Sequence, residues 1–198
     1  MKKMNFNTRY SMTDAVISGR KTEYREVINF SQSDFNYAYI KNFPIIGTRV
    51  EYVIIEIYAK YKLGDIVAVA QSYKDAGVNP DYIVSYKDDG TPVSAIQSPG
   101  WTNKMFTRAY LMPHQIRITD IRIERLKDIS DESCLREGIQ FHHISQSYYV
   151  DYRKETGCRA WLGSTPREAF EALIDKVCVR GTWESNPYVF VYQLELVK

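Results

Sequence analysis

The sequence has few of the residues that mark zinc-binding or disulfide-rich proteins, since only three of its 198 residues are cysteines. Cys134, Cys158 and Cys178 are widely spaced and form no Cys-x-x-Cys pair, so we expect neither a zinc site nor a disulfide framework. No apolar run is long enough to cross a bilayer, and the opening residues lack the apolar core of a signal peptide. We therefore expect a reduced, cytoplasmic protein without a membrane partner.

Strong net charge and the common catalytic motifs are also missing. The formal net charge is +2, so no field of the whole protein attracts nucleic acid, and any such binding needs a local patch. The chain contains no phosphate-binding glycine loop, no HExxH motif and no nucleophile elbow. His142 and His143 are adjacent, and in an extended segment they would point in opposite directions, which suits a metal site poorly. We expect neither a metal nor a cofactor.

Tyrosine is abundant, with 16 residues, and β-branched segments are frequent, whereas helical patterns are few. The predicted strands are residues 50–58, 66–70, 81–86, 91–95, 115–126 and 188–197. Residues 26–42 are predicted to form a strand followed by a loop. Within the strand 115–126, the apolar side chains change phase at Thr119-Asp120, which predicts a β-bulge or a sharp bend, as at a barrel corner. A short helix is predicted to start at Ser130. The longest helix is predicted to start at a capping box at Thr165, with an apolar stripe that ends at Val177.

These patterns predict one domain of the α+β class, covering residues 1–198, with a barrel-like set of strands. Two segments interrupt it. Residues 74–100 are rich in glycine, proline, aspartate and serine and contain a predicted hairpin. Residues 140–164 carry several tyrosines and Trp161 among basic side chains.

The segment 11–25, SMTDAVISGRKTEYR, combines a short predicted helix with a cationic cluster. Ser11 is predicted to cap the helix, and Gly19 to end it in a left-handed conformation. The cluster that follows consists of three cations, a hydroxyl and a phenol: Arg20, Lys21, Thr22, Tyr24 and Arg25. A lysine near a carboxylate such as Glu137 forms an acid/base pair when burial lowers the pKa of the lysine. The spacing alone equally fits a basic helix end that leads into an exposed strand.

Several runs of the sequence resemble ASCH-domain proteins. The runs are residues 17–22 (ISGRKT), 61–66 (YKLGDI), 118–130 (ITDIRIERLKDIS), 137–139 (EGI) and 181–191 (GTWESNPYVFV). The last two match the longer, phage-associated members. The resemblance spans most of the chain but not the two interrupting segments. It implies a PUA-like mixed β-barrel with packed helices, and binding of RNA or a nucleoside in a cleft beside the first helix.

Some small members of this family are similar to amidohydrolases that deacetylate N4-acetylcytidine, using a lysine, a threonine and a glutamate. Lys21 matches the lysine, and Glu137 matches the glutamate. The chain departs from the motif because Tyr24 occupies the position of the threonine. Glu26 stands where an arginine is usual, so Arg25 is the nearest basic substitute. The charged site therefore differs from that of the family.

The longer members also carry Arg-Glu after the second strand, where this chain has Ala70-Gln71. The leading hypothesis is a PUA-like binding module for RNA, single-stranded nucleic acid or a nucleoside or nucleotide. The expected ligand-binding residues are Lys21, Thr22, Tyr24, Arg25 and Glu137. The first alternative is an amidohydrolase acting on an acylated nucleobase, with Lys21 and Glu137 as its catalytic residues. The second is a phage-associated protein-interaction module with a vestigial site, which uses the two interrupting segments.

Overall fold

Ten strands and five α-helices make up the structure, a computed structural model that describes residues 1–29, 45–152 and 157–197. The strands are β1 (Lys3–Met4), β2 (Glu23–Val27), β3 (Ile66–Val69), β4 (Ile83–Tyr86), β5 (Pro92–Ser94), β6 (Gln115–Arg125), β7 (Gln140–His142), β8 (Ser147–Tyr152), β9 (Cys158–Gly163) and β10 (Tyr188–Leu196). The helices are α1 (Met12–Ile17), α2 (Arg49–Tyr58), α3 (Asp131–Arg136), α4 (Pro166–Val177) and α5 (Thr182–Ser185). Short 3₁₀ turns lie at Pro99–Trp101, Lys104–Phe106, Ala109–Leu111 and Leu126–Asp128.

The main sheet has the strand order β1-β3-β6-β10-β2, with β6 and β10 as its long antiparallel centre. Gln193 pairs with Asp120 and Leu194 with Ile118, so Thr119 is an extra residue on β6. The predicted bulge is thereby confirmed. Because the bulge restores the alternation, the four isoleucines of β6 pack on the same core: Ile116, Ile118, Ile121 and Ile123.

The α+β class is confirmed, whereas the predicted PUA-like barrel is not, because none of the sheets formed by the described strands closes on itself. The hairpin predicted in residues 74–100 is present as β4 and β5. The second interrupting segment contains a three-stranded antiparallel sheet, β7-β8-β9, which contacts α4. Within the described ranges, no helix has the length and apolar character needed to cross a membrane.

Helix α4 begins where the capping box predicts. The Thr165 hydroxyl accepts a hydrogen bond from the Glu168 amide, and the Glu168 carboxylate accepts one from the Thr165 amide, with Pro166 at the first turn. The side chains buried along the helix are Ala169, Phe170, Leu173 and Ile174. This helix closes one side of the core and supports the β7-β8-β9 sheet.

The strand predicted over residues 50–58 is wrong, because these residues form helix α2. The Thr48 hydroxyl accepts a hydrogen bond from the Val50 amide and caps the first turn. Ile54 is buried, and Val50 and Tyr58 are partly buried against the core, which is the i, i+4, i+8 spacing of a helix. The β-branched composition outweighed this spacing in the prediction.

The prediction that Ser11 caps α1 through its side chain is also wrong. Ser11 has a left-handed backbone (φ 50°) and its hydroxyl makes no capping hydrogen bond. The Met12 amide instead donates to the carbonyl of Asn7, so the preceding turn orders the start of the helix. Gly19 is left-handed (φ 73°) just beyond α1, as predicted. Most of the strand and loop predicted over residues 26–42 lies outside the described residues.

Candidate functional site

The segment after α1 lies directly against the end of α3. The Lys21 amide donates to the carbonyl of Ala15, and Lys21 forms an isolated antiparallel bridge with Glu137, the residue that ends α3. Gly138 follows with φ 97°, and a Cβ there would lie 3.4 Å from the Cβ atoms of both Ala15 and Lys21. The glycine thus allows the two helix ends to approach closely.

This approach places the lysine and the carboxylate that the sequence singled out in direct contact. The Lys21 ammonium forms an ion pair with Glu137 Oε2, and the two side chains are only 4% and 7% exposed. Arg25 Nη1 lies 2.8 Å from Glu137 Oε1. Both carboxylate oxygens are therefore occupied by cations of the protein itself.

The pair belongs to a larger buried ion network, made up of Lys21, Glu23, Arg25, Glu124 and Glu137. Arg25 donates to Glu124 Oε1 from Nε and Nη2, at 2.9 and 2.7 Å, and its Nη1 lies 3.1 Å from Glu23. At the rim of the network, Arg122 and Arg136 each lie 3.3 Å from the fully buried Glu23 carboxylate. The network joins β2, β6 and α3.

The other two predicted residues, Thr22 and Tyr24, carry no charge, and Tyr24 borders the network, since the Lys21 ammonium lies 5.9 Å from the centroid of its ring. The Tyr24 ring stacks on the ring of Tyr192, its cross-strand partner on β10, at a centroid distance of 6.2 Å. It also meets the Phe6 ring edge-on, at a centroid distance of 5.6 Å. Burial raises the pKa of Tyr24, so the phenol stays protonated. Thr22 is half-buried, and its backbone is hydrogen-bonded to Arg136 and Leu194.

Burial dominates the electrostatics of the lysine. It lowers the pKa of Lys21 by more than the attraction of Glu137 and Glu23 raises it. A lysine with a lowered pKa beside a carboxylate has the elements of an acid/base pair. With both groups buried and paired to each other, however, a substrate reaches them only if the network opens.

Glu23 makes the stability of the protein depend on pH. Burial acts to raise the pKa of Glu23, but Arg25 and Arg122 hold it below the ordinary value of 4.5. As the pH falls below 4.5, this carboxylate becomes protonated in the unfolded chain while it is still ionised in the native state. The stability that Glu23 contributes is therefore lost as the pH falls from 4.5 through the lower native pKa. We expect Glu23→Gln to flatten this acid dependence in urea unfolding curves measured from neutral to acid pH. An exposed-site variant, Glu184→Gln, should keep the wild-type slope; equal slopes in Glu23→Gln and wild type would contradict this role.

A cavity of about 830 Å³ lies beside α1, on a different part of the helix from the ion network. Its described lining residues are Thr8, Arg9, Thr13, Asp14, Gln71, Ser72, Asp75, Thr102, Asn103 and Lys104. All of them are polar or charged. They come from the turn before α1, from α1 itself, from the segment after β3 and from the 3₁₀ region after Trp101.

Gln71 lines the cavity, and its side chain has a hydrogen-bond acceptor without a described partner. The residue is 9% exposed, and its Oε1 is buried without a hydrogen-bond partner among the described residues. Its Nε2 lies 3.5 Å from the carbonyl of Asp75, which is a long contact. The Ser72 hydroxyl donates to Asp75 Oδ2 at 2.7 Å and accepts from the Asp75 amide, so the loop around Gln71 is well ordered by its own bonds.

The cavity carries two cations and two carboxylates. Arg9 is exposed and donates to the Tyr152 hydroxyl from Nε and Nη2, at 3.0 and 2.9 Å. Lys104 donates to the carbonyl of Phe6, and burial lowers the pKa of its ammonium group. With Asp14 and Asp75 as the acids, the formal charges balance, so the lining suits a ligand rich in hydrogen-bonding groups better than a bare anion.

None of the five predicted site residues lines this cavity. Lys21, Arg25 and Glu137 meet in the buried ion network, and Thr22 and Tyr24 pack nearby. Sequence reasoning noted Gln71 only as a departure from the family pattern. Its position directly after a predicted buried strand could have indicated a site, because binding residues often lie on the loops that follow strands.

No family model, curated protein or solved structure matches this chain. The resemblance to ASCH-domain proteins therefore stays a prediction from the sequence. In the described ranges, no group of three or more histidine, cysteine, aspartate or glutamate side chains is arranged to hold a metal ion.

Proposed function

We propose that this protein is a PUA-like binding module for RNA, single-stranded nucleic acid or a nucleotide, and that the ligand occupies the polar cavity beside α1. The observation that carries the proposal is a cavity whose described lining residues are all polar or charged, among them Gln71, whose buried Oε1 has no hydrogen-bond partner among the described residues. A buried acceptor without a partner costs free energy unless a ligand supplies the donor. The ASCH resemblance also implies a cleft beside the first helix, but it assigns ligand contacts to Lys21 and Glu137, which lie in the ion network and not in this cavity.

The chemistry of the lining matches the parts of a nucleotide. The Gln71 oxygen is suited to accept from an exocyclic amine or a ring N–H of a base. The side chains of Thr13 and Asp14 on α1 suit ribose hydroxyls. Arg9 is suited to a phosphate, because a guanidinium has five donor hydrogens and the exposed Arg9 directs only part of them to Tyr152.

The buried ion network has a supporting role in this proposal. It fixes the end of α1 against α3 and thereby positions the helix that presents Thr13 and Asp14. Lys21, Arg25 and Glu137 act through the position of α1 rather than by contact with the ligand. The contact between Lys21 and Glu137 is what the amidohydrolase alternative requires, but their burial favours binding as the function.

The proposal is tested by measuring the binding of cytidine, cytidine monophosphate and a short single-stranded RNA by calorimetry. We expect Arg9→Gln to weaken binding of the monophosphate about tenfold and to change binding of cytidine little, because a hydrogen bond to a charged group contributes about 1.5–3 kcal/mol. Arg117→Gln, which alters an exposed arginine away from the cavity, is the matched control. No binding of any of the three ligands at millimolar concentration would overturn the proposal.

A further inference from the structure

The sheet β7-β8-β9 has two faces of different chemistry. Val150 is fully buried on the inner face, and Tyr148 and Leu162 pack against the core there. On the opposite face the strand register places Tyr149 beside both Gln140 and Trp161. We define the aromatic face as His142, Tyr149 and Trp161 together with Arg159.

The three rings of the aromatic face form one cluster. The ring of His142 lies 5.2 Å from that of Trp161 and 6.1 Å from that of Tyr149, and Tyr149 and Trp161 are 5.4 Å apart. The Arg159 guanidinium lies 4.8 Å from the Tyr149 ring. Tyr149 is thereby almost fully covered, whereas Trp161 remains 50% exposed. The exposed indole is thus held by neighbouring rings and open to solvent.

The surroundings of the indole indicate what would cover it. The other residues on this face are polar or charged: Gln140, Ser147 and Asp151, with the exposed Arg159. An apolar protein partner would need several aliphatic side chains around the tryptophan, and the described strand positions of this face supply none; the exposed Ile144 lies in the β7–β8 turn. An exposed aromatic ring beside a cation is the combination that single-stranded nucleic acids use, with a base stacked on the ring and a phosphate at the cation.

The β7-β8-β9 sheet contacts the segments on both sides of α1. Asp151, on the aromatic face, lies 3.4 Å from Arg20, three residues beyond the end of α1. The next residue, Tyr152, accepts hydrogen bonds from Arg9, which lines the cavity. Tyr152 lies on the inner face of the sheet with Tyr148 and Val150, so the aromatic face and the cavity are separate surfaces that approach each other at the end of β8.

We infer that the aromatic face binds single-stranded nucleic acid, stacking a base on Trp161 and placing a phosphate at Arg159. The inference rests on the proposed function for its ligand class, but it concerns a separate surface and separate residues. It makes the protein a binder of extended strands rather than of mononucleotides alone. Binding should then strengthen from a mononucleotide to an octanucleotide.

The test compares Trp161→Ala and Trp161→Phe by fluorescence anisotropy with a labelled single-stranded octauridylate. We expect Trp161→Ala to weaken octanucleotide binding about 5- to 150-fold, the range for loss of one stacked base, and Trp161→Phe to retain most of the affinity. Tyr86→Ala, which removes a 70% exposed ring on the β4–β5 hairpin, is the control and should bind like wild type. Urea unfolding of each variant confirms that the fold persists.

Two further measurements distinguish binding at the aromatic face from binding in the cavity. Arg159→Gln should lower the slope of log affinity against log salt by about 0.7, the value for one phosphate of a single strand. Uridine monophosphate should bind Trp161→Ala as it binds wild type, since only the cavity holds it. Equal octanucleotide affinity in Trp161→Ala and wild type overturns the inference and leaves the proposed function standing. Octanucleotide binding that depends on Trp161, with no mononucleotide binding, supports the aromatic face and contradicts the cavity.

Discussion

Replacing Glu137 with glutamine is expected to lower the free energy of unfolding by about 3–5 kcal/mol, the usual cost of removing one partner from a buried ion pair. Glutamine has nearly the shape of glutamate but cannot neutralise a cation. The change leaves the Lys21 ammonium, only 4% exposed, without its counter-ion. Arg25 also loses one of its three carboxylate partners, although Glu23 and Glu124 remain. Urea unfolding at neutral pH measures the effect.

The matched control is Glu195→Gln. Glu195 forms an ion pair with Arg117 at 3.2 Å, but both side chains are about half exposed. Exposed pairs contribute about 0–1 kcal/mol because water and salt screen them, so this variant should be nearly as stable as wild type. A similar small loss in Glu137→Gln would mean that water reaches the ion network in solution, and the amidohydrolase alternative would regain its physical basis.

The sequence predicted the parts of this fold that local signals determine. The capping box at Thr165 and the change of phase at Thr119 involve neighbours in the chain, and both features are present. Helix α2 was missed because nine largely apolar, β-branched residues satisfy either a buried strand or a helix. Only the Thr48 cap and the spacing of the buried side chains distinguish the two.

The site was harder to predict because it is assembled from distant segments. Glu137 lies 116 residues from Lys21, and no periodicity in the sequence reports that contact or its burial. The cavity combines residues 8–14, 71–75 and 102–104, which are far apart in the sequence and meet only in the folded chain. A strong cationic motif, RKTEYR, drew the prediction toward the buried network, since sequence shows charge but not exposure.

Replacing Gln71 with methionine should change stability and ligand affinity in opposite directions. Methionine keeps the length of the side chain but removes the buried Oε1 that has no described partner. The free protein should therefore gain about 1 kcal/mol or stay as stable as wild type, since only the long contact to Asp75 is lost. A ligand that donates to this oxygen should bind about tenfold or more weakly, because its donor would then be buried without an acceptor.

The opposite signs make this variant more informative than a simple loss of binding, because destabilised proteins also bind poorly. Gln193→Met, at an exposed position of β10, serves as the control and should alter neither quantity. A fall in the stability of Gln71→Met would show that the free protein already satisfies the oxygen, and an unchanged affinity would show that the ligand does not use it. Either result would contradict the role of Gln71 in the cavity proposal. A more stable protein with weaker nucleotide binding would instead show that Gln71 serves ligand binding at a cost in stability.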